Sequence, residues 1–182
     1  KHPTVSSKSF LITIGDRTVG GCTSRDQMVG PWQTPVADCA VMLTSFWGKQ
    51  GVALALGERP PTAVFDVNAS VRMCLGELIT NILAAPVNNL SDIKLSANWM
   101  GAIDDELSNY DLYSAVSAIN NICVECDMSI PVGKDSLSMS AIKVENNTSE
   151  EVRSPISLNL SGVSKLNDTG GTWTPCLDRD IE

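Results

Sequence analysis

The stretch from residue 66 to 86 leaves the chain least freedom in how it folds. Asp66 can cap a helix, Pro86 can stop one, and between them Val67, Val71, Leu75, Leu78 and Ile82 recur at the spacing of one helical face. A helix of this kind persists in water only when another element covers its apolar stripe. A second stretch makes the same demand. There Ser108, with Asp111 three residues on, forms a capping pair, and Leu112, Val116, Ile119 and Cys123 form the stripe. The surface to cover both stripes must come from strands. Residues 10–14 read as a buried strand closed by Gly15 and Asp16, residues 36–46 as a mostly apolar central strand, and residues 63–65 as a short strand leading into the first helix. Residues 93–96 form a further strand, and residues 130–132 are extended before Gly133. Residues 137–143 and 156–163 form a hairpin across the polar loop 145–151. Strands outnumber helices and do not alternate with them. The expected class is therefore α+β, a mixed or antiparallel sheet with two main helices on one face.

The 182 residues suit one domain, and 43% hydrophobic against 19% charged residues allow a sizeable core. We expect this domain over 1–165, with 166–182 as a linker or edge segment where Gly, Thr, Pro and charge take over. A net charge of −8 argues against a nucleic-acid surface, which needs clustered Lys and Arg. It leaves room for a nucleotide held through Mg²⁺. No apolar run approaches the roughly 20 residues of a membrane span, so a cytoplasmic protein is expected. The opening residues carry neither an initiator Met nor a targeting pattern, which suggests a start within a longer polypeptide. Cys123 and Cys126 form a C-x-x-C inside a helical stretch with no partner pair. Helix-core cysteines are favoured over a metal or redox site. Trp32, Trp47, Trp99 and Trp173 read as packing anchors.

Several polar residues could carry chemistry. Asp38 lies in an apolar stretch, where an unpaired carboxylate costs several kcal/mol unless a cation or hydrogen bonds compensate. Glu77 and Asn81 are one helical turn apart on the flank of the first helix. Facing Asp38, they would offer the oxygens that Mg²⁺ prefers, although spacing alone favours a solvated helix face. Gly133, Lys134, Asp135 and Ser136 could approach a phosphate or form an ordinary polar turn; they are not a Walker loop. Lys8 by itself is an ordinary solvated lysine. His2, the single histidine, supports no histidine-based triad.

Several blocks together resemble the long, single-chain phosphoribosylformylglycinamidine synthases. They are the runs at 2–8 and 10–17, Arg25-Asp26-Gln27-Met28-Val29-Gly30-Pro31-Trp32-Gln33, the blocks at 35–41 and 76–81, Lys94-Leu95-Ser96-Ala97-Asn98-Trp99-Met100, and the block at 131–139. They cover about residues 1–165 and match the amino-terminal half of the second of two aminoimidazole-ribotide-synthetase-like units. The resemblance implies an ATP- and glutamine-dependent carbon–nitrogen ligase of purine biosynthesis, which turns formylglycinamide ribonucleotide into the amidine. Its two units would pair as a pseudo-dimer whose sheets form a barrel-like core. By position, Ala37 matches a nucleotide contact, Asp38, Glu77 and Asn81 match magnesium ligands beside ATP or ADP, and Lys8 matches a lysine reaching the catalytic site. Lys134, Asp135 and Ser136 fall in the signature loop. The implied partners are the first synthetase-like unit, the downstream half-unit and a glutaminase domain. None of the six Cys is the glutaminase nucleophile. The alternatives are a non-catalytic scaffold of the same fold, or another member of the superfamily such as aminoimidazole ribotide synthetase, selenophosphate synthetase or thiamine-monophosphate kinase.

Overall fold

The computed structural model describes residues 2, 6–7, 9–13, 15, 21–30, 32–35, 37–145 and 148–174. In chain order the elements are α1 (Ser9–Thr13), β1 (Thr23–Arg25), β2 (Met28–Val29), β3 (Thr34–Pro35), β4 (Cys39–Leu43), β5 (Gly51–Glu58) and α2 (Pro60–Ala63). They continue with α3 (Val67–Ile82), β6 (Lys94–Met100), α4 (Glu106–Glu125), β7 (Ser129–Ser136), β8 (Ser140–Glu145), β9 (Thr148–Arg153) and β10 (Ser157–Leu166). Six strands form one sheet in the order β1-β4-β5-β10-β6-β7. Every pairing in it is antiparallel except β6 with β7. A parallel neighbour cannot be reached by a tight turn, and α4 supplies the crossover. The α+β class with a mixed sheet and two principal helices is thus borne out.

α3 starts where its sequence says it should, with the Asp66 side chain accepting from the Ala69 amide at 2.9 Å. Val71, Leu75, Leu78 and Ile82 are fully buried, and Val67 is half-buried beside them. Burying each leucine stabilises the fold by roughly 2 kcal/mol. β5 permits this close packing because Gly51, Ala53, Ala55 and Gly57 alternate along its helix-facing side. A Cβ on Gly57 would stand 2.1 Å from the Cys74 carbonyl oxygen. The other face of β5 carries Leu54 and Leu56, both exposed, alongside exposed Met42 of β4 and Val163 of β10. The sheet therefore has helices over one face, and among the described residues nothing covers the other. That face is apolar over β4 and β5 and mixed over β10, where Asn159, Ser161 and Lys165 accompany Val163.

The fold corrects several local expectations. Residues 9–13 form a one-turn helix rather than a strand; an apolar run this short fits either state. Residues 60–63 are likewise a helical turn, with Pro60 and Pro61 at its start, and Val64 and Phe65 follow as a turn. The strand expected at 36–46 shortens to β4 and lies second from the edge rather than in the centre. β5, unremarked in the sequence, takes a more central place. The hairpin is β8 with β9, a separate two-stranded ribbon, while β10 inserts between β5 and β6. The cap of α4 is Asp105, with Ser108 as the reciprocating third residue of a capping box. Val116 is 43% exposed, and Ala115 and Ala118 take the buried positions beside Ile119 and Cys123. Trp32, Trp47 and Trp173 are exposed; only Trp99 packs against the core.

Of the two cysteines expected in a helix core, Cys123 is buried and Cys126, at the end of α4, is half-buried against the core; both are free thiols, as are buried Cys39 and Cys74. Burial pushes the Cys74 thiol up to about 12, and raises Cys39 and Cys123 as well. Cys176 lies outside the described residues. No described helix is long and apolar enough to cross a membrane.

Candidate nucleotide and metal site

β4 and β5 pair from Cys39 opposite Ala55 to Leu43 opposite Gly51, so the end of β5 runs on past the start of β4. The Leu56 carbonyl and Glu58 amide consequently have no strand partner on that side. α3 supplies partners from its own flank. Asn81 Nδ2 donates to the Leu56 carbonyl at 3.0 Å, and the Glu58 amide donates to Glu77 Oε2 at 2.9 Å. The 77/81 spacing thus aims both side chains at one strand end. The second carboxylate oxygen of Glu77 pairs with Arg59 at 3.4 Å.

Asp38 immediately precedes β4, at the same strand end. It is exposed, not buried within a strand as its apolar neighbours suggest. Ala37 beside it donates its amide to the Gln27 carbonyl at 3.0 Å. A cavity of about 740 Å³ opens here, and Ala37, Asp38, Glu77 and Asn81 all line it. These four residues, all candidates from the sequence, come from two separate segments, 37–38 and 77–81. Sequence reasoning had assigned no role to Arg25, Asp26 or Glu58, which share the cavity. Their only signal was membership of a family block, in the case of Arg25 and Asp26.

Lys134, Asp135 and Ser136 lie elsewhere. They end β7, opposite Asn98, Trp99 and Met100 of β6, and Lys134 Nζ donates to Ser136 Oγ at 3.1 Å. β7 is four strand steps from β4 in the sheet, roughly 19 Å at the usual strand spacing. The segment is strand to its last residue rather than a loop, and it does not join the cavity. Lys8 lies outside the described residues.

The donor set fits a hard cation. Asp38 offers a carboxylate, Glu77 a carboxylate whose outer oxygen meets only Arg59, and Asn81 an amide oxygen, since its nitrogen already donates to Leu56. Three protein oxygens are fewer than Mg²⁺ takes, leaving positions for phosphate and water. Among the described residues no group of three or more His, Cys, Asp and Glu side chains gathers as a metal cluster.

The class defined by this mixed sheet, with two helices on one face and an acid-lined cavity at its rim, is that of the PurM amino-terminal-like domains. The chain belongs to the FGAR-AT PurM_N-like domain family, whose model matches residues 7–165. The resemblance to phosphoribosylformylglycinamidine synthases drawn from the sequence blocks is therefore borne out. Among solved structures, PurLQS from Thermotoga maritima is 19% identical at a TM-score of 0.57, over 79% of this chain and 22% of that one. PurL of T. maritima complexed with ADP is 19% identical at a TM-score of 0.58, over 76% of this chain and 21% of that one. Its complex with ATP is 18% identical at 0.56, again over 76% and 21%. The chain thus spans about a fifth of the length of these structures.

Proposed function

We propose that this domain is the part of a phosphoribosylformylglycinamidine synthase that holds a magnesium-bound adenine nucleotide and presents one sheet face to a companion unit. The observation that carries the reading is the convergence of Ala37, Asp38, Glu77 and Asn81 on one cavity. In such a site Asp38, Glu77 and Asn81 would hold Mg²⁺, which when bound neutralises phosphate charge. The protein's own task is to fix those oxygens. Hydrogen bonds from the Glu58 amide and to the Leu56 carbonyl lock Glu77 and Asn81, so little side-chain entropy remains to be lost on binding. The backbone beside Ala37 is held by its bond to Gln27.

The whole enzyme would use ATP and glutamine to convert formylglycinamide ribonucleotide to its amidine, as a carbon–nitrogen ligase of purine biosynthesis. Lys8 would stabilise charge on the transferring phosphoryl group at the paired site. Lys134, Asp135 and Ser136, remote from the cavity within this chain, would serve a nucleotide contact only across the paired units. The first synthetase-like unit, the downstream half-unit and the glutaminase domain would be its partners, in the cytoplasm. The complexes of T. maritima PurL with ATP and with ADP support a nucleotide in this fold.

The test is thermal. Mg-ADP should raise the melting temperature of the full-length protein, by an amount corresponding to about 2.7 kcal/mol at a hundredfold excess over Kd. Asp38→Asn or Glu77→Gln should remove the rise. A wild-type protein that ignores Mg-ADP would leave only the scaffold role, to which the uncovered apolar face of the sheet is suited.

A further inference from the structure

Arg25 closes β1 and is 8% exposed, the one charged side chain among the buried residues described. Among the described residues its side chain makes one hydrogen bond, from Nη1 to the Cys39 carbonyl, at a long 3.4 Å. Nε is buried with no partner among the described residues, and no described carboxylate forms an ion pair with this guanidinium. A buried cation left this way is expensive, because desolvation goes uncompensated. Arg25 nevertheless has space beside it: it lines the 740 Å³ cavity with Asp38 and Glu77, and also a polar cavity of about 420 Å³.

A guanidinium of this kind suits a planar, two-pronged contact with phosphate oxygens. The larger cavity favours that occupant. Its acidic residues would hold a metal, and a metal brings polyphosphate with it, so a cation and a metal would flank the same anion. Among its described lining residues the smaller cavity has one carboxylate, Asp26, whose Oδ1 already accepts from the Met28 amide at 2.7 Å.

We propose that Arg25 is a phosphate anchor, binding the diphosphate of an adenine nucleotide in the cavity lined by Asp38, Glu77 and Asn81. The inference rests on the nucleotide reading above and adds to it a residue and a direction. The polyphosphate lies toward β1, with the nucleoside placed away from Arg25. Through its bond to the Cys39 carbonyl the same side chain also steadies the start of β4, next to Asp38.

Calorimetric titration of the full-length protein with Mg-ADP, adenosine and inorganic diphosphate separates the possibilities. Arg25→Met should weaken Mg-ADP by about tenfold or more, the loss expected for one charge-assisted contact, and leave adenosine within about twofold. Arg25→Lys keeps the charge but not the fork. It should fall between wild type and Arg25→Met for Mg-ADP, and it carries the test should Arg25→Met fail to fold. Unchanged Mg-ADP affinity in the Arg25 variants, with binding lost in Asp38→Asn, would overturn the anchor and leave the nucleotide site standing. Equal losses for Mg-ADP and adenosine would also overturn it, since a phosphate contact cannot be felt by a ligand without phosphate. Diphosphate binding lost while Mg-ADP is unchanged would assign Arg25 to a different anion. A wild-type protein that binds no Mg-ADP removes both the anchor and the reading beneath it.

Discussion

At the scale of single residues, the contact between Gly57 and α3 is the least forgiving. A methyl group there would meet the Cys74 carbonyl at 2.1 Å and the Leu78 amide nitrogen at 2.8 Å, both backbone atoms that cannot swing aside. Gly57→Ala should therefore destabilise the protein by about 1–3 kcal/mol, measured as a shift of the denaturant midpoint. Gly162 on β10 faces softer neighbours, the methyl groups of Leu78 and Ile93, and its alanine variant should cost less. Neither close approach can be read from sequence, because a glycine in a strand has several possible causes. The metal-ligand candidates were more accessible to reading. Glu77 and Asn81 share a helix flank by arithmetic, but that Asp38 lies at the same rim depends on where β4 starts opposite β5, a matter of register. Arg25 escaped notice because nothing in its neighbours says that it will be buried.

At the scale of elements, α4 is defined by its first turn. Asp105 accepts from the Ser108 amide at 2.7 Å, Ser108 Oγ accepts from the Asp105 amide at 3.2 Å, and Arg153 from the base of the β8–β9 ribbon approaches Asp105 at 3.1 Å. The Ser108 bonds, with Arg153 in support, hold the Asp105 carboxyl below its ordinary value of 3.8. A lowered value in the folded state means that the capping stabilisation is complete above the unfolded value. It is lost as pH falls through the folded one. Acid titration of thermal stability should accordingly show a steeper decline below about pH 4 in wild type than in Asp105→Asn, which still caps but does not titrate. Equal slopes would remove the carboxylate from the acid response. The capping box could have been read from Asp105 and Ser108. The pair expected at Ser108 and Asp111 lies one turn too far along a helix whose stripe is otherwise largely legible. β5 was harder: its alternation of small residues with Val52, Leu54 and Leu56 is apolar on both faces and lacks the polar beat of a half-exposed strand.

Across the whole molecule, the sheet has an exposed apolar patch that no described residue covers. Exposed Met42, Leu54, Leu56 and Val163 belong to three adjacent strands, a surface that a paired unit would bury. Val163→Glu should lower the melting temperature of the full-length protein. Val144→Glu, on the separate β8–β9 ribbon, should leave it unchanged. Similar effects from both substitutions would argue against a pairing face. The general architecture, strands in excess with two helices on one side, followed from hydrophobic periodicity. The order of strands did not, because β10 pairs with partners some hundred residues earlier in the chain, such as Asn159 opposite Glu58.

That insertion has a consequence for synthesis. β5 and β6 leave the ribosome long before β10, and neither can be joined to the other until the last strand arrives between them. The nascent domain must wait with two unsatisfied strand edges. Its folding rate is then set by a late, long-range closure rather than by its helices, and a chain halted before residue 157 should be prone to aggregate.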